Sequence, residues 1–132
     1  MSERLKFSEF DFSTLPDGRC KARVGLQMGQ EATFEGTAEG LGSPTGELRC
    51  AAQAAVLALE QAVQGKVGLE LIGVKSVRAF DSTVVIVSLA CQQVEAHRVV
   101  GSYLAEEQLP RGAALAVLNA TNRLLGNLVF TR

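Results

Sequence analysis

The chain has no tryptophan, a single tyrosine and an aromatic content of only 5%. A core without many large rings has to be filled by smaller apolar side chains, and Ala, Val and Leu are the residues available for it. The 132 residues, 47% of them hydrophobic, are enough to bury a core without disulfides or a structural metal. We therefore expect residues 1–132 to form a single domain.

Cysteine and histidine are too scarce for metal or disulfide chemistry. Cys20, Cys50 and Cys91 are widely spaced, odd in number and without a C-x-x-C motif, so they indicate neither a disulfide framework nor a zinc site. His97 is the only histidine, which disfavours a transition-metal centre. We expect no metal, no cofactor and a reducing compartment, the cytoplasm.

Basic runs and long apolar segments are also missing. The formal net charge is −1, and affinity for nucleic-acid phosphates depends on clustered Lys and Arg, so we expect no nucleic-acid partner. No stretch approaches the ~20 apolar residues of a membrane span. The N-terminal MSERLKFSEF is charged where a signal peptide is apolar. These absences predict a cytoplasmic chain with no membrane association.

A regular alternation of apolar and polar residues predicts a β-hairpin in the first half. It runs from Cys20 to Met28 and resumes after Gly29, and period two is typical of half-buried strands. The apolar residues are even-numbered on both strands, so the loop must have an odd length, and we expect three residues around Gly29. Opposite charges then meet on the exposed face: Lys21 and Arg23 with Glu35, Thr37 or Glu39.

Two similar helical segments follow strand patterns, AAQAAVLALEQAVQG at 51–65 and GAALAVLNATNRLLG at 112–126. Ser43 and Pro44 have the residue types of an N-cap and a first helical position. Pro110 marks the start of the second helix in the same way, and each helix is expected to end at the glycine that closes its segment. The first helix carries apolar residues beyond a single face, Cys50, Ala54 and Leu57, which indicates that it is covered from two directions.

The remaining strands complete a repeated βββα order. The apolar parity switches at Ile72-Gly73, which predicts a bulge, and TVVIVSLAC is apolar on both faces, as in a central strand. LKFSEFDF supplies the first strand of the first half, and LVF is a short last strand. We predict an α+β fold of two pseudo-symmetric βββα repeats, about 5–65 and 67–126, with antiparallel sheets covered by two helices.

A βββα-βββα chain with helices rich in small residues, the strand-to-helix loop GTAEGLGSP, a second glycine at Gly101 and the ending AVLNATNRLL resembles the C-terminal regulatory domain of isopropylmalate synthase and its citramalate synthase relatives. The resemblance covers about residues 20–125. It implies a non-catalytic, homodimeric module whose inter-subunit or inter-repeat crevice binds a small effector, an amino acid or a 2-keto acid. The 132 residues contain no counterpart of the family's barrel domain or metal-binding histidines, so the resemblance implies no synthase chemistry in them.

In that family the loops between the last strand and the helix face the effector. The matching positions in this chain are Gly40, Leu41, Gly42, Ser43 and Pro44 in the first repeat, and Gly101, Ser102 and Tyr103 in the second. The resemblance therefore implies that ligand-binding residues lie among them.

A polar face on the second helix predicts a surface for a partner or a polar ligand. Asn119, Asn122 and Arg123 share this face, and Leu115 lies beside them. An exposed leucine next to amides is the feature that favours an interaction surface, and a plain solvated face is the alternative.

Two other functions stay open. A small enzyme could use Cys91, His97 or Glu95, although no nucleophile motif accompanies them, and we predict no catalytic residue. A purely structural partner of another protein would share the apolar features that favour a homodimer.

Overall fold

A computed structural model of the protein describes residues 5–30, 32–63, 68–91, 97–106, 108–122 and 129–130. The elements, in chain order, are β1 (Leu5–Thr14), β2 (Arg19–Met28), β3 (Ala32–Leu41), α1 (Pro44–Ala62), β4 (Leu69–Ala79), β5 (Ser82–Cys91), β6 (His97–Ala105), α2 (Leu109–Asn122) and β7 (Val129–Phe130). The predicted α+β fold with the order βββα-βββα is confirmed. It has two sheets, ordered β3-β2-β1-β7 and β4-β5-β6, antiparallel apart from the parallel pair β1–β7.

The register of the first sheet confirms the predicted hairpin. Met28 pairs with Ala32, so three residues connect β2 and β3, as parity requires. The charges also meet on the outer face: Arg23 Nη1 lies 3.1 Å from Glu35 Oε2, and Arg23 Nη2 lies 2.5 Å from Glu9 Oε2. Cys20, Ala22, Val24 and Leu26 of β2 are buried, which places the core on the opposite face.

Both repeats contain a bulge in their first strand. The shift between Leu71 and Gly73 confirms the bulge predicted at Ile72-Gly73. A matching shift between Phe7 and Glu9 in β1 was not predicted. One extra residue reverses which side chains face the core, so each first strand changes face at its bulge.

Helix α1 begins as its sequence predicts. Ser43 is the N-cap, its Oγ accepts the Gly46 N–H at 3.0 Å, and Pro44 is in the first turn. The helix ends at Ala62, three residues before the glycine at which its segment was expected to close. The glycines expected to close the two helices lie outside the described residues.

Helix α1 is covered from several directions, as predicted, and α2 is covered in the same way, which was not predicted. Helix α1 packs against β2, β3, β4 and α2, whereas α2 packs against β5, β6, α1, β1 and β7. In α2 every residue from Ala113 to Leu118 is buried. The core therefore consists of two small-residue helices in contact with each other and with strands of both sheets.

A glycine in the last strand of each repeat allows its helix to approach closely. A Cβ at Gly36 would lie 2.1 Å from Ala54 O, and one at Gly101 would lie 2.3 Å from Ala116 O. Only a residue without a side chain leaves room for the helix backbone at these two places. Gly36 and Gly101 are thus equivalent positions in the two repeats.

Candidate functional site

Elements of both repeats meet in a crevice at the first turns of the two helices. One part of it, of about 630 Å³, is lined by Phe10, Asp11, Phe12, Glu47, Gln108, Leu109 and Pro110. A smaller part, of about 210 Å³, shares Glu47 and Leu109 and adds Pro44, Thr45, Leu48, Lys75 and Ser76. We call the two parts together the inter-repeat crevice.

The bulge in β1 gives the crevice its aromatic wall. After the bulge, Phe10 and Phe12 pair with Val24 and Ala22, whose side chains are buried, so both rings lie on the core face of the sheet. They stay half-buried. A half-buried aromatic face beside open volume is typical of a ligand-binding surface.

The neighbouring Phe7 holds this wall to the start of α2. Its ring stacks on that of Phe10 with centroids 6.3 Å apart. The Arg111 guanidinium lies 5.2 Å from the centroid of the Phe7 ring, within the range of a cation–π interaction. The aromatic wall is therefore supported by both repeats.

Glu47 is the carboxylate that the crevice offers to a ligand. It lies in the first turn of α1, where the helix dipole favours a carboxylate, and among the described residues it has no ion-pair partner within 4.0 Å. Asp11, in contrast, is paired with Arg23. Lys75 also borders the smaller part of the crevice, but its register opposite Ile86 places its side chain on the outer face of β4. The crevice thus offers an apolar wall and one carboxylate.

The outer-face pairs of Arg23 hold one carboxylate of the crevice in place. The side-chain hydrogen bonds from Arg23 to Glu9 and then Asp11 raise the pKa of the guanidinium, which stays charged. Arg23 Nε donates to Asp11 Oδ2 at 2.9 Å. Asp11 is therefore fixed on β1 and leaves Glu47 as the carboxylate available to a ligand.

The first-repeat positions implied by the resemblance lie mostly outside this crevice. Gly40 and Leu41 line a separate cleft of about 300 Å³ with Glu39, Gly46, Arg49, Cys50 and Gln53. The Gly42 N–H donates to Gly18 O at 2.9 Å, and Ser43 caps α1. Only Pro44 lines the inter-repeat crevice.

The second-repeat positions lie within a strand, so their expected place in a loop is wrong. Strand β6 continues to Ala105, and Gly101 is buried beneath α2. Ser102 is exposed, and Tyr103 lines a cleft of about 450 Å³ with Leu104, Ala105, Glu106, Gln108, Arg111 and Gly112. Gly40 and Leu41 therefore line a cleft of the first repeat and Tyr103 lines a cleft of the second, so the two implied sets do not share a cleft.

The predicted surface on α2 is corrected at Leu115. This side chain is fully buried, since α2 is enclosed by the sheet on one side and by α1 on another. Asn119 is exposed, and its Oδ1 accepts the Ser102 N–H at 3.3 Å. Arg123 and the side chain of Asn122 lie outside the described residues.

A similar amide contact occurs at a different position in the first repeat. Gln61 Oε1 accepts the Glu35 N–H at 3.3 Å, from a helix to the edge strand β3. Asn119 does the same for the edge strand β6. Free edge N–H groups invite strand pairing with another chain, so these two amides each protect a sheet edge.

The cysteines are buried, free thiols of the core. The Cys50 Sγ donates to Ala38 O at 3.1 Å, and the Cys20 Sγ donates to Leu41 O at 3.3 Å. Burial, followed by the hydrogen bond with Cys20, raises the pKa of Cys50 to about 12. Cys50 is therefore a packing residue and not a thiolate nucleophile at neutral pH.

Two of the candidate enzyme residues do occupy opposite positions. Cys91 and His97 are directly paired across β5 and β6. Cys91 is only 3% exposed, whereas the His97 side chain and Glu95 lie outside the described residues. The backbone thus brings a thiol and an imidazole position together at one end of the second sheet.

A search of the described residues finds no group of three or more His, Cys, Asp or Glu able to hold a metal ion. None of the helices in that part of the chain is both long and apolar enough to cross a membrane.

Comparison of the sequence with models of known protein families and with curated proteins finds no match.

The crevice residues Phe10, Phe12, Glu47 and Leu109 were missed by the sequence analysis. Three of the six phenylalanines fall within residues 7–12, and this concentration was the available signal. These phenylalanines indicate an aromatic wall only when the bulge in β1 is known, because without a bulge Phe7 and Phe10 would face opposite sides of the sheet.

Proposed function

We propose that the chain is a non-catalytic regulatory domain, which binds a small molecule in the inter-repeat crevice and works as a homodimer. The observation that supports it is the shared lining of this crevice: β1 and α1 from the first repeat, β4 and α2 from the second. A ligand bound there would contact both repeats. Binding would therefore favour the arrangement in which the two repeats pack against each other. This is the kind of function that the resemblance to the isopropylmalate synthase regulatory domain implies.

The lining favours an amino acid over a 2-keto acid. The ammonium group of an amino acid can pair with Glu47, which has no ion-pair partner within 4.0 Å among the described residues. A 2-keto acid has no cation for Glu47. The wall of Phe10 and Phe12 suits an apolar side chain, so the best ligand class is an apolar amino acid.

The proposal is tested by thermal unfolding with amino acids, 2-keto acids and nucleotides. At a concentration ~100-fold above the dissociation constant, a ligand adds ~2.7 kcal/mol to the free energy of unfolding, which raises Tm by several degrees for a domain of this size. We expect a shift with an apolar amino acid, and we expect Glu47→Gln to lose it.

The matched control is Glu39→Gln, a carboxylate in the cleft that contains Gly40 and Leu41. It should keep the ligand-induced shift. Loss of the shift in Glu39→Gln but not in Glu47→Gln would move the ligand to that cleft. No shift with any compound would contradict small-molecule binding.

A second candidate, a small thiol enzyme, is favoured by the opposite positions of Cys91 and His97. An imidazole next to a thiol can take its proton and generate the nucleophilic thiolate. The 3% exposure of Cys91 counts against this function, because a nucleophile must be accessible. If it holds, Cys91 is alkylated at pH 7 faster than a free cysteine, and His97→Gln abolishes the excess rate. Alkylation no faster than that of a free cysteine eliminates the candidate.

A further inference from the structure

The outer faces of the two sheets differ in chemistry although their positions correspond. The bulges and the pairs Val24–Gly36 and Val87–Gly101 align the two registers strand by strand. On the first sheet these positions carry mostly charged and polar residues: Glu9, Asp11, Ser13, Lys21, Arg23, Gly25, Gln27, Glu35, Thr37 and Glu39. On the second sheet they carry mostly apolar or small ones: Gly73, Lys75, Val77, Val84, Ile86, Ser88, Ala90, Val100, Ser102 and Leu104, with the charged Glu70 and Arg98 in the row of Ala90.

The contrast is strongest on the last strands. Val100 stands where the first repeat has Glu35, and Leu104 stands where it has Glu39. Val100 is 65% exposed and Leu104 is 52% exposed, and Ile72 at the bulge is 38% exposed. Among the described residues, nothing covers the large apolar side chains in these positions, whereas the first sheet shows that the same fold accepts charges there.

The central strand of the second sheet supports this face. Val85, Val87 and Leu89 of β5 are buried toward the helices. The alternate residues Val84 and Ile86 face outward and are half-buried between β4 and β6. Strand β5 is thus apolar on both sides, as in a strand enclosed between two layers.

We propose that the outer face of β4-β5-β6 is the surface through which the chain binds a second copy of itself, face to face. The inference rests on the homodimer in the proposed function and adds the surface. Three strands of about nine residues cover roughly 30 by 14 Å, about 400 Å² a protomer before corrugation is counted. Two such faces bury about 1,000 Å², the lower limit of a specific interface, so the dissociation constant should be micromolar.

The charges at the rim make this face complementary to itself. Glu70 on β4 and Arg98 on β6 lie at opposite edges of one row, with Ala90 between them. A two-fold axis along β5 places β4 of one protomer over β6 of the other, so that Glu70 faces the Arg98 of the second copy. Aligned sheets pack at about −30° to each other, which keeps these rows in register near the centre.

Sedimentation velocity over a concentration series tests the surface. We expect the wild-type chain to dimerise with a micromolar dissociation constant, and Val100→Glu with Leu104→Glu to weaken it at least ~100-fold, because four carboxylates would be buried without partners. This double variant gives the second sheet the residues that the first sheet already carries, so folding should be retained, and circular dichroism checks it.

The matched control is Thr37→Glu, which adds a carboxylate to the outer face of the first sheet and should leave the dimer unchanged. A dimer that survives in the double variant but not in Thr37→Glu overturns the surface and leaves the homodimer standing. A wild-type chain that stays monomeric at about 200 µM overturns both the surface and the homodimer, and would mean that another partner covers the face. Ligand shifts in the unfolding experiment are independent of either result.

The orientation has its own test. Arg98→Glu alone places like charges over each other twice in the dimer and should raise the dissociation constant about tenfold. Adding Glu70→Arg should restore the wild-type value. Failure of the second change to rescue the first overturns the axis along β5.

Discussion

Replacing Gly101 by alanine should destabilise the protein severely, because a backbone atom of the facing helix occupies the place of the new Cβ. The added carbon would lie 2.3 Å from Ala116 O and 2.4 Å from Ala120 N, and real Cβ atoms essentially never come within 3.0 Å of another heavy atom. The obstacle is helix backbone, so no side-chain rotation relieves it. Helix α2 must move away from β6.

The size of the effect follows from the distance that the helix must move. Restoring ordinary contact requires about 1 Å, and a gap of that width forfeits a quarter to a half of the dispersion energy across the contact. Overpacking of a core costs about 1–3 kcal/mol, and two backbone clashes put this change at the upper end, about 3 kcal/mol. For a chain of this length the loss lowers Tm by about 10 °C.

Urea and thermal denaturation measure the change, and Gly73→Ala is the control. Gly73 is also in a strand, but a Cβ there meets nothing within 4 Å. It should be neutral or stabilise by up to ~1 kcal/mol. Gly36→Ala should match Gly101→Ala, since its Cβ would lie 2.1 Å from Ala54 O. Wild-type stability of Gly101→Ala, with altered ligand binding, would refute the packing role and return Gly101 to the ligand-binding residues.

Three further predictions concern local stability. Ser43→Ala removes the acceptor of the Gly46 N–H and should cost about 1 kcal/mol in urea denaturation, whereas Ser43→Gly should cost only a few tenths, and equal losses would contradict the capping role. Burial raises the pKa of Cys50 to about 12, so above the ordinary thiol value of about 8.5 the unfolded chain loses its proton first and stability falls as pH rises toward 12. Cys50→Ala should flatten that part of the pH dependence, and an unchanged slope would show that Cys50 does not cause it. Phe80 and Asp81 have φ of 53° and 62° in a two-residue turn, so Phe80→Asn with Asp81→Gly should stabilise by about 1 kcal/mol in thermal unfolding, and no gain would argue that the turn is unstrained.

Local rules predicted most of the elements. The odd-length loop around Gly29, the bulge at Ile72-Gly73 and the N-cap at Ser43 each follow from residues within a few positions of one another. The bulge in β1 was missed although only Ser8 and Glu9 separate Phe7 from Phe10. The parity difference between Phe7 and Phe10 does indicate it once the register is known.

The candidate site was beyond such rules. The inter-repeat crevice joins Phe12 to Glu47 and Leu109, residues far apart in the chain, and no spacing encodes their meeting. The family resemblance implies a loop position for Gly101, yet its role is a contact with a helix that begins eight residues later. Leu115 reads as exposed on a helical wheel that assumes one buried face, whereas α1 covers a second one.

The sequence by itself determined the strands, the helices, their order and the repetition of the βββα unit. These depend on alternation, helical periodicity and capping, which act between near neighbours. Only the tertiary structure decided which residues line the crevice between the repeats, at which glycines a helix packs closely on a strand, and which sheet face is left apolar. Those outcomes depend on how two similar halves pack against each other, and packing acts between residues whose separation in the chain carries no signal of their contact.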